Sequence, residues 1–194
     1  MKKIISLVVL VSLCGFIYAG PFGVEMGWSV EDFERLGIPL EQASTNNNIT
    51  TYYFTPNNPH PIFTTYLVRI DNQKGVYDIT AVSDVIEDSS YGTETKKTYN
   101  SVREQISSTY GEPEEIDLLM PGSIWDEPGD WMMALYQKER YLMALWNPSS
   151  KGIEDIGIDV TGIRSSSSVI KLVYQSPDIA EILERVKKAE ASVF

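Results

Sequence analysis

The sequence predicts an α+β fold, an antiparallel sheet or sheets with helices packed on one face. Three observations lead there. Short β-branched and aromatic runs recur, as in "IFTTYLVRI" at 62–70, "VYDITAVSDVI" at 76–86 and "VIKLVY" at 169–174. Helical spacing is confined to a few separate segments. The same stop signal occurs twice, "LGIP" at 36–39 and "YGEP" at 110–113, 74 residues apart and each followed by loop and strands. The chain from 20 to 194 reads as one domain, and the recurrence hints at a duplicated helix-then-sheet unit with halves 20–92 and 93–194, which do not align outside those four residues.

The chain opens on an export signal. Lys2 and Lys3 precede a 15-residue apolar stretch from Ile4 to Tyr18, broken only by Ser6, Ser12 and Gly15. Ala19 offers a small residue for cleavage, so residues 1–19 read as a secretory signal peptide. The run is too short to span a bilayer, which needs about 20 apolar residues, and Pro21, Gly23 and Glu25 close it. Cys14 is the only cysteine. A lipoprotein signal wants a small residue before its cysteine. Leu13 stands there, so Cys14 is read as apolar filler. After cleavage no disulfide is available to the protein, and its core must hold it unaided.

The opening "GPFGVEMGWSVEDFERLGIP" comes next. Phe22, Val24, Met26 and Trp28 alternate with Gly23, Glu25 and Gly27, the period of a short half-buried strand. Ser29 is placed as a helix N-cap with Asp32 three residues on, a capping-box variant, and Trp28 and Phe33 are spaced to staple across it. Gly37 suits the left-handed C′ position and Pro39 forbids restarting the helix. Residues 40–49, with "STNNN", read as a polar loop. "TTYYFT" at 50–55 is a strand. "PNNPHP" at 56–61 is a rigid turn, because prolines fix their own φ and restrict their neighbours. Residues 62–70 and 76–86 form a hairpin across "DNQKG".

A loop at 87–93 leads to the longest helix candidate, 94–110. Tyr99, Val102, Ile106 and Tyr110 form its apolar stripe, and Gly111 and Pro113 end it. In the second half "WMMALY" (131–136) and "YLMALW" (141–146) flank "QKER" and predict a hairpin. "IEDIGIDV" (153–160) puts Ile156, Ile158 and Val160 on one face and Asp155, Gly157 and Asp159 on the other. "SSSS" at 165–168 reads as a turn and 169–174 as a strand. Ser176, Pro177 and Asp178 then start a helix whose buried stripe is Ile179, Ile182, Leu183 and Val186. The chain ends in Phe194, as many outer-membrane barrels do. A charged helix precedes it instead of an alternating strand, so a barrel is rejected.

Charge narrows the function classes. Losing Lys2 and Lys3 from the 16 basic residues leaves 14 against 27 acidic ones, a net charge of −13 over 175 residues. Such a chain repels nucleic acid and anionic lipid. The acidity serves solubility or a basic protein partner. His60 is the only histidine, so a Ser-His-Asp or Cys-His mechanism would have to use it. Between Pro59 and Pro61 it reads as turn structure. One histidine cannot supply a zinc site. "WDEPGDW" at 125–131 gathers Asp126, Glu127 and Asp130 without the alternating spacing of a calcium loop. No nucleophile elbow, phosphate loop or dinucleotide fingerprint is present. No catalytic residue, metal or cofactor is therefore assigned. The aromatics Trp125, Trp131, Tyr136, Tyr141 and Trp146 read first as core and cross-strand pairs. Trp125, Asp126, Asp130 and Trp131 are the candidate binding residues.

"GPFGVEMGWSVEDFERLG", "YYFTPNNPHPIFTTYLVRI" with "GVYDITAVS", and "SVREQISSTYGEPEE" together resemble a group of small exported bacterial proteins of uncharacterised function. Members open with G-P-F-G-x-x-x-G-x-[ST], carry a P-x-P-H-x-x-F-x-x-Y strand entry and have a helix ending Y-G. Their cysteine in a G-L-C-x-I pattern falls near Tyr77, where this chain has "GVYDI", so the resemblance implies no disulfide here. The order of helix, [LY]-G-x-P and aromatic strands also resembles small envelope modules of the β-lactamase-inhibitor type. The resemblance implies export but no activity. The expectation is a non-enzymatic binding or interaction module of the periplasm, or secreted, with an inhibitory or protective role and another envelope protein as partner. The alternative is a hydrolase acting on envelope glycan or peptide through paired carboxylates.

Overall fold

The computed structural model describes residues 20–148 and 152–191. The signal peptide expected over residues 1–19, with Cys14, and Phe194 lie outside the described residues. The fold is α+β. Among the described residues, nine antiparallel strands form one sheet beside four α-helices.

The opening is not a strand. Pro21–Gly23 forms a 3₁₀ turn in which Phe22 takes φ 56°, and Gly27 follows at φ 85°. Proline and left-handed glycine break the extended path. The apolar alternation still has a purpose, because each turn sends a side chain inward. Val24 is fully buried. The Phe22 ring meets Phe63, Tyr66 and Tyr174 edge-on, with centroids 6.0, 5.0 and 6.0 Å away. The segment is then tied to the sheet, where Gly27 N donates to Val76 O at 2.7 Å and Val76 N donates to Trp28 O at 2.8 Å.

Helix α1 (Val30–Arg35) starts where expected. The Asp32 carboxylate accepts from Ser29 N at 2.9 Å, and the Trp28 ring stands edge-on to Phe33 at 5.5 Å. Gly37 ends the helix at φ 66°. The expected polar loop after it is instead strand β1 (Leu40–Asn46), paired with β2 (Ile49–Phe54). Asn47 and Asn48, at φ 48° and 66°, make the two-residue left-handed turn that suits a hairpin. The polar composition concealed the strand because β1 is a sheet edge, and six of its seven residues are exposed.

Strands β3 (Phe63–Asp71) and β4 (Gly75–Ser83) form the expected hairpin, closed by Asp71 Oδ1 accepting from Gln73 N and Lys74 N, both at 3.0 Å. A short strand, β5 (Ile86–Glu87), leads to α2 (Thr93–Tyr110). Tyr99, Val102 and Ile106 are buried as the stripe requires, and Tyr110 is half-buried. Strand β6 (Glu114–Leu119) was not anticipated. "WMMALY" is helix α3 (Trp131–Tyr136), not a strand. Met, Ala and Leu favour helix, and Trp131, Met132, Ala134 and Leu135 fall on one helical face, all buried. Strand β7 (Arg140–Trp146) therefore pairs with β6 and β8 (Asp155–Arg164) instead of with residues 131–136.

Of "SSSS", only Ser165 and Ser166 turn. Ser167 and Ser168 begin β9 (Ser167–Gln175) and are buried. Ser168 Oγ lies 2.8 Å from Thr95 Oγ1, which pins the start of α2 to β9. Helix α4 (Ile179–Ala191) buries Ile182, but Leu183 is 54% exposed, against the expected stripe. The helix docks at the β3–β4 turn through ion pairs. Lys74 bridges Asp178 and Glu181, both at 2.8 Å, and Arg185 pairs with Asp71.

The strand order is β1-β2-β3-β4-β9-β8-β7-β6, with β5 on β9. The element order thus runs helix then four-strand meander twice, α1 with β1–β4 and α2 with β6–β9. Helix α3 interrupts the second meander. The two meanders join in the middle, where Ile79 faces Tyr174 and Ala81 faces Leu172. Side chains from α1, α2 and α3 share one core cluster with the inner face of the sheet, among them Phe33, Tyr99, Met132, Ile158 and Leu172.

Candidate binding face

The opposite face of the sheet is open over several of its strands, where Tyr53 and Leu145 are exposed. Register decides what it carries, because opposed residues in antiparallel strands point the same way. One row runs Tyr53, Leu67, Thr80, Val173, Gly157 and Leu145 across six strands, with Glu41 and Glu114 at its two ends. A parallel row runs Arg69, Asp78, Gln175 and Asp155. On the other side lie Thr65, Val82, Lys171, Asp159, Met143 and Ile116. An apolar row thus lies between two rows that carry charge.

A shallow depression of about 380 Å³ sits over Gly157, floored by Leu145, Met143 and Val173 and rimmed by Asp155, Asp159, Lys171 and Gln175. It exists because Gly157 has no side chain. A Cβ there would meet only Leu145 Cδ2, at 3.5 Å, an ordinary contact. The backbone does not need glycine at this position, so larger residues could fill the depression without straining the chain.

The polar groups around it are satisfied within the protein. Asp78 is 1% exposed and accepts from Thr80 Oγ1 at 2.8 Å, Gln175 Nε2 at 3.2 Å and Arg69 NH1 at 3.4 Å. Lys171 Nζ lies 3.0 Å from Asp159, and Asn147 donates to Asp155. Asp155 and Asp159 are four residues apart on one strand, or about 13 Å. That exceeds the separation of about 5 to 9.5 Å that either glycosidase geometry uses. The face offers apolar contact and fixed charges, and Asp155 and Asp159 on it are not an acid and a base in mutual reach.

The candidate binding residues read from sequence differ in exposure. Trp131 is 5% exposed and packs against Gly92, with Lys96 Nζ 4.3 Å above its ring. It is a core residue of α3 and not a surface one. Trp125 is half-buried in the loop before α3, Asp126 is exposed and Asp130 half-exposed. Of the five aromatics, only Trp131 and Trp146 are buried as core. Tyr136 and Tyr141 are 44% and 39% exposed. Among the described residues, no three His, Asp or Glu side chains lie close enough to hold a metal.

His60 sits in its turn with both ring nitrogens engaged. Ile62 N donates to Nδ1 at 3.3 Å and Nε2 lies 3.1 Å from Gln105 Oε1, which suits the tautomer protonated on Nε2. Its backbone is held by Tyr66, whose hydroxyl accepts from His60 N at 2.9 Å. The residues of the open face escaped sequence reasoning, although Asp155, Gly157 and Asp159 had been assigned to a shared face. Which strands would lie beside them needed the pairing.

Comparison with known protein families, with curated proteins and with solved structures finds no match.

Proposed function

We propose that the protein is an exported, non-enzymatic interaction module of the periplasm that binds another envelope protein through the open face around Gly157. The observation that carries this reading is the apolar row crossing that face between charged rows, with a depression over Gly157 toward its β7 end. Apolar surface of this kind, rimmed by polar groups, suits a partner. The apolar start of the chain supports export, and so does the resemblance of its opening to small exported proteins. A carboxylate hydrolase is less well supported, because Asp155 and Asp159 stand too far apart and each has a partner.

Two measurements test the parts separately. Mass spectrometry of protein from the envelope fraction should place the N-terminus at Gly20. A retained Met1 would refute export as written. For binding, a photo-crosslinking residue at Leu145 should give a discrete adduct in cells. Gly157→Phe should abolish that adduct while leaving the thermal transition near that of the wild type. An adduct that survives Gly157→Phe would remove the depression from the reading.

A further inference from the structure

The outer edge of β6 is the second feature that looks outward. β6 ends the sheet, and all six of its residues pair with β7 without a register shift, from Glu114↔Leu145 to Leu119↔Arg140. The other sheet edge, β1, is bent by a register shift between Gln42 and Ser44. β6 holds no proline, lysine or bulge of the kind that blunts an edge. Beyond β7, no strand among the described residues pairs with it.

Its hydrogen-bonding groups can be assigned. Met120 N donates to Glu139 O at 2.7 Å. Because antiparallel ladders alternate, the N–H groups of Leu118, Ile116 and Glu114 also face β7. Those of Glu115, Asp117 and Leu119 then face outward. The side chains divide in the same way. Glu114, Ile116 and Leu118 lie on the open face beside Leu145, Met143 and Tyr141, with Leu118 50% exposed. Glu115 and Asp117 point to the other face and are neutralised there by Arg103 and Arg140. Among the described residues, Glu114 has no cation at ion-pair distance.

We propose that the outer edge of β6 is a strand-addition site for an extended, basic-apolar segment of a partner protein. The row positions specify its chemistry. An antiparallel strand would place apolar side chains opposite Leu118 and Ile116 and a lysine or arginine opposite Glu114, with polar residues between, giving apolar-x-apolar-x-basic. A second copy of this chain is the wrong occupant. β6 holds no lysine or arginine, so self-pairing would bring no cation to Glu114. This inference deepens the interaction reading by naming the partner's chemistry at a separate surface.

The probe is the labelled peptide Thr-Val-Thr-Ile-Thr-Lys-Thr, read by fluorescence anisotropy against purified protein from Gly20 onward at low salt. Saturable binding is expected, about two- to fivefold weaker when its lysine is glutamate. Asp117→Pro removes a central outward N–H without touching the β7 ladder and should weaken binding at least about tenfold. Asp117→Ala, which loses the same Arg140 contact, should bind as the wild type does. Glu114→Lys should reverse the preference between the two peptides, and it keeps the test decisive if Asp117→Pro does not fold. Gly157→Phe should change nothing. No saturation by about 1 mM, or equal binding to Asp117→Pro, would overturn the proposal. Binding lost only in Gly157→Phe would also overturn it while leaving the open face in place. So would a stable dimer of the free protein that Asp117→Pro dissociates.

Discussion

Gly92→Ala isolates how tightly α2 is seated on α3. Gly92 precedes α2 at φ 68° and ψ 32°, and a Cβ placed there falls 2.1 Å from Trp131 Cε3 and 2.4 Å from Cζ3. Two costs follow. A side chain in the left-handed region costs about 1 to 2 kcal/mol. The indole must also move by more than 1 Å, yet Trp131 is 5% exposed with Lys96 Nζ 4.3 Å over its ring. Overpacking of that kind costs about 1 to 3 kcal/mol. The expected total is about 2 to 5 kcal/mol, a large share of the stability of an ordinary domain. Gly37→Ala is the internal control. Its φ of 66° is nearly the same, but nothing lies within 4 Å of its Cβ. It should show the backbone cost alone. Urea midpoints at constant slope measure both. If Gly92→Ala and Gly37→Ala cost the same within about 0.5 kcal/mol, the indole yields freely. The tight packing of α2 on α3 would then be refuted.

Trp28→Ala should cost about 2 to 3 kcal/mol, less than for a fully buried ring, because Trp28 is half-buried against Phe33. Ser29→Ala should cost about 1 kcal/mol at most, and reversal of that order in urea would remove the staple. Asp88 tests the seating of α2 by pH. Burial pushes its carboxyl up, but hydrogen bonds from Thr95, Glu94 and Ser89 outweigh this and hold it below the usual 3.8. A depressed folded value adds stability above the unfolded value, lost as pH falls through the folded one. Asp88→Asn should therefore destabilise at neutral pH, and its gap to wild type should close below about pH 4. A gap unchanged at pH 2.5 would refute the carboxylate's role. His60→Gln should keep the fold and cost about 1 kcal/mol through the lost Ile62 contact. A cost above about 3 kcal/mol in thermal unfolding would mean that the ring supports more than its turn.

Punctuation and strong periodicity were legible in the sequence. Gly37 and Gly111 end their helices where the spacing said, because left-handed glycine is a local requirement. The stripe of α2 and the inward face of β8 were legible because one side of each meets a continuous core. "WMMALY" and "YLMALW" mark the limit. They have nearly the same composition, yet one is α3 and the other β7. Propensity cannot separate them. β7 is extended because β6 and β8 take up its backbone groups on both sides. α3 fits where it does because Gly162 of β8 leaves room for the backbone of Leu135 and Tyr136, 2.7 to 2.9 Å from where a Cβ would stand. β1 was hidden for the opposite reason, since a sheet edge keeps its side chains in water and buries no pattern. The open face lay further from view. Its rows join residues up to about a hundred positions apart, such as Arg69, Asp78 and Gln175. By itself the sequence determined which residues turn inward on the strongly periodic elements, such as α2 and β8. Only the tertiary structure decided which elements lie side by side, because register is settled by long-range packing and not by any stretch of chain alone.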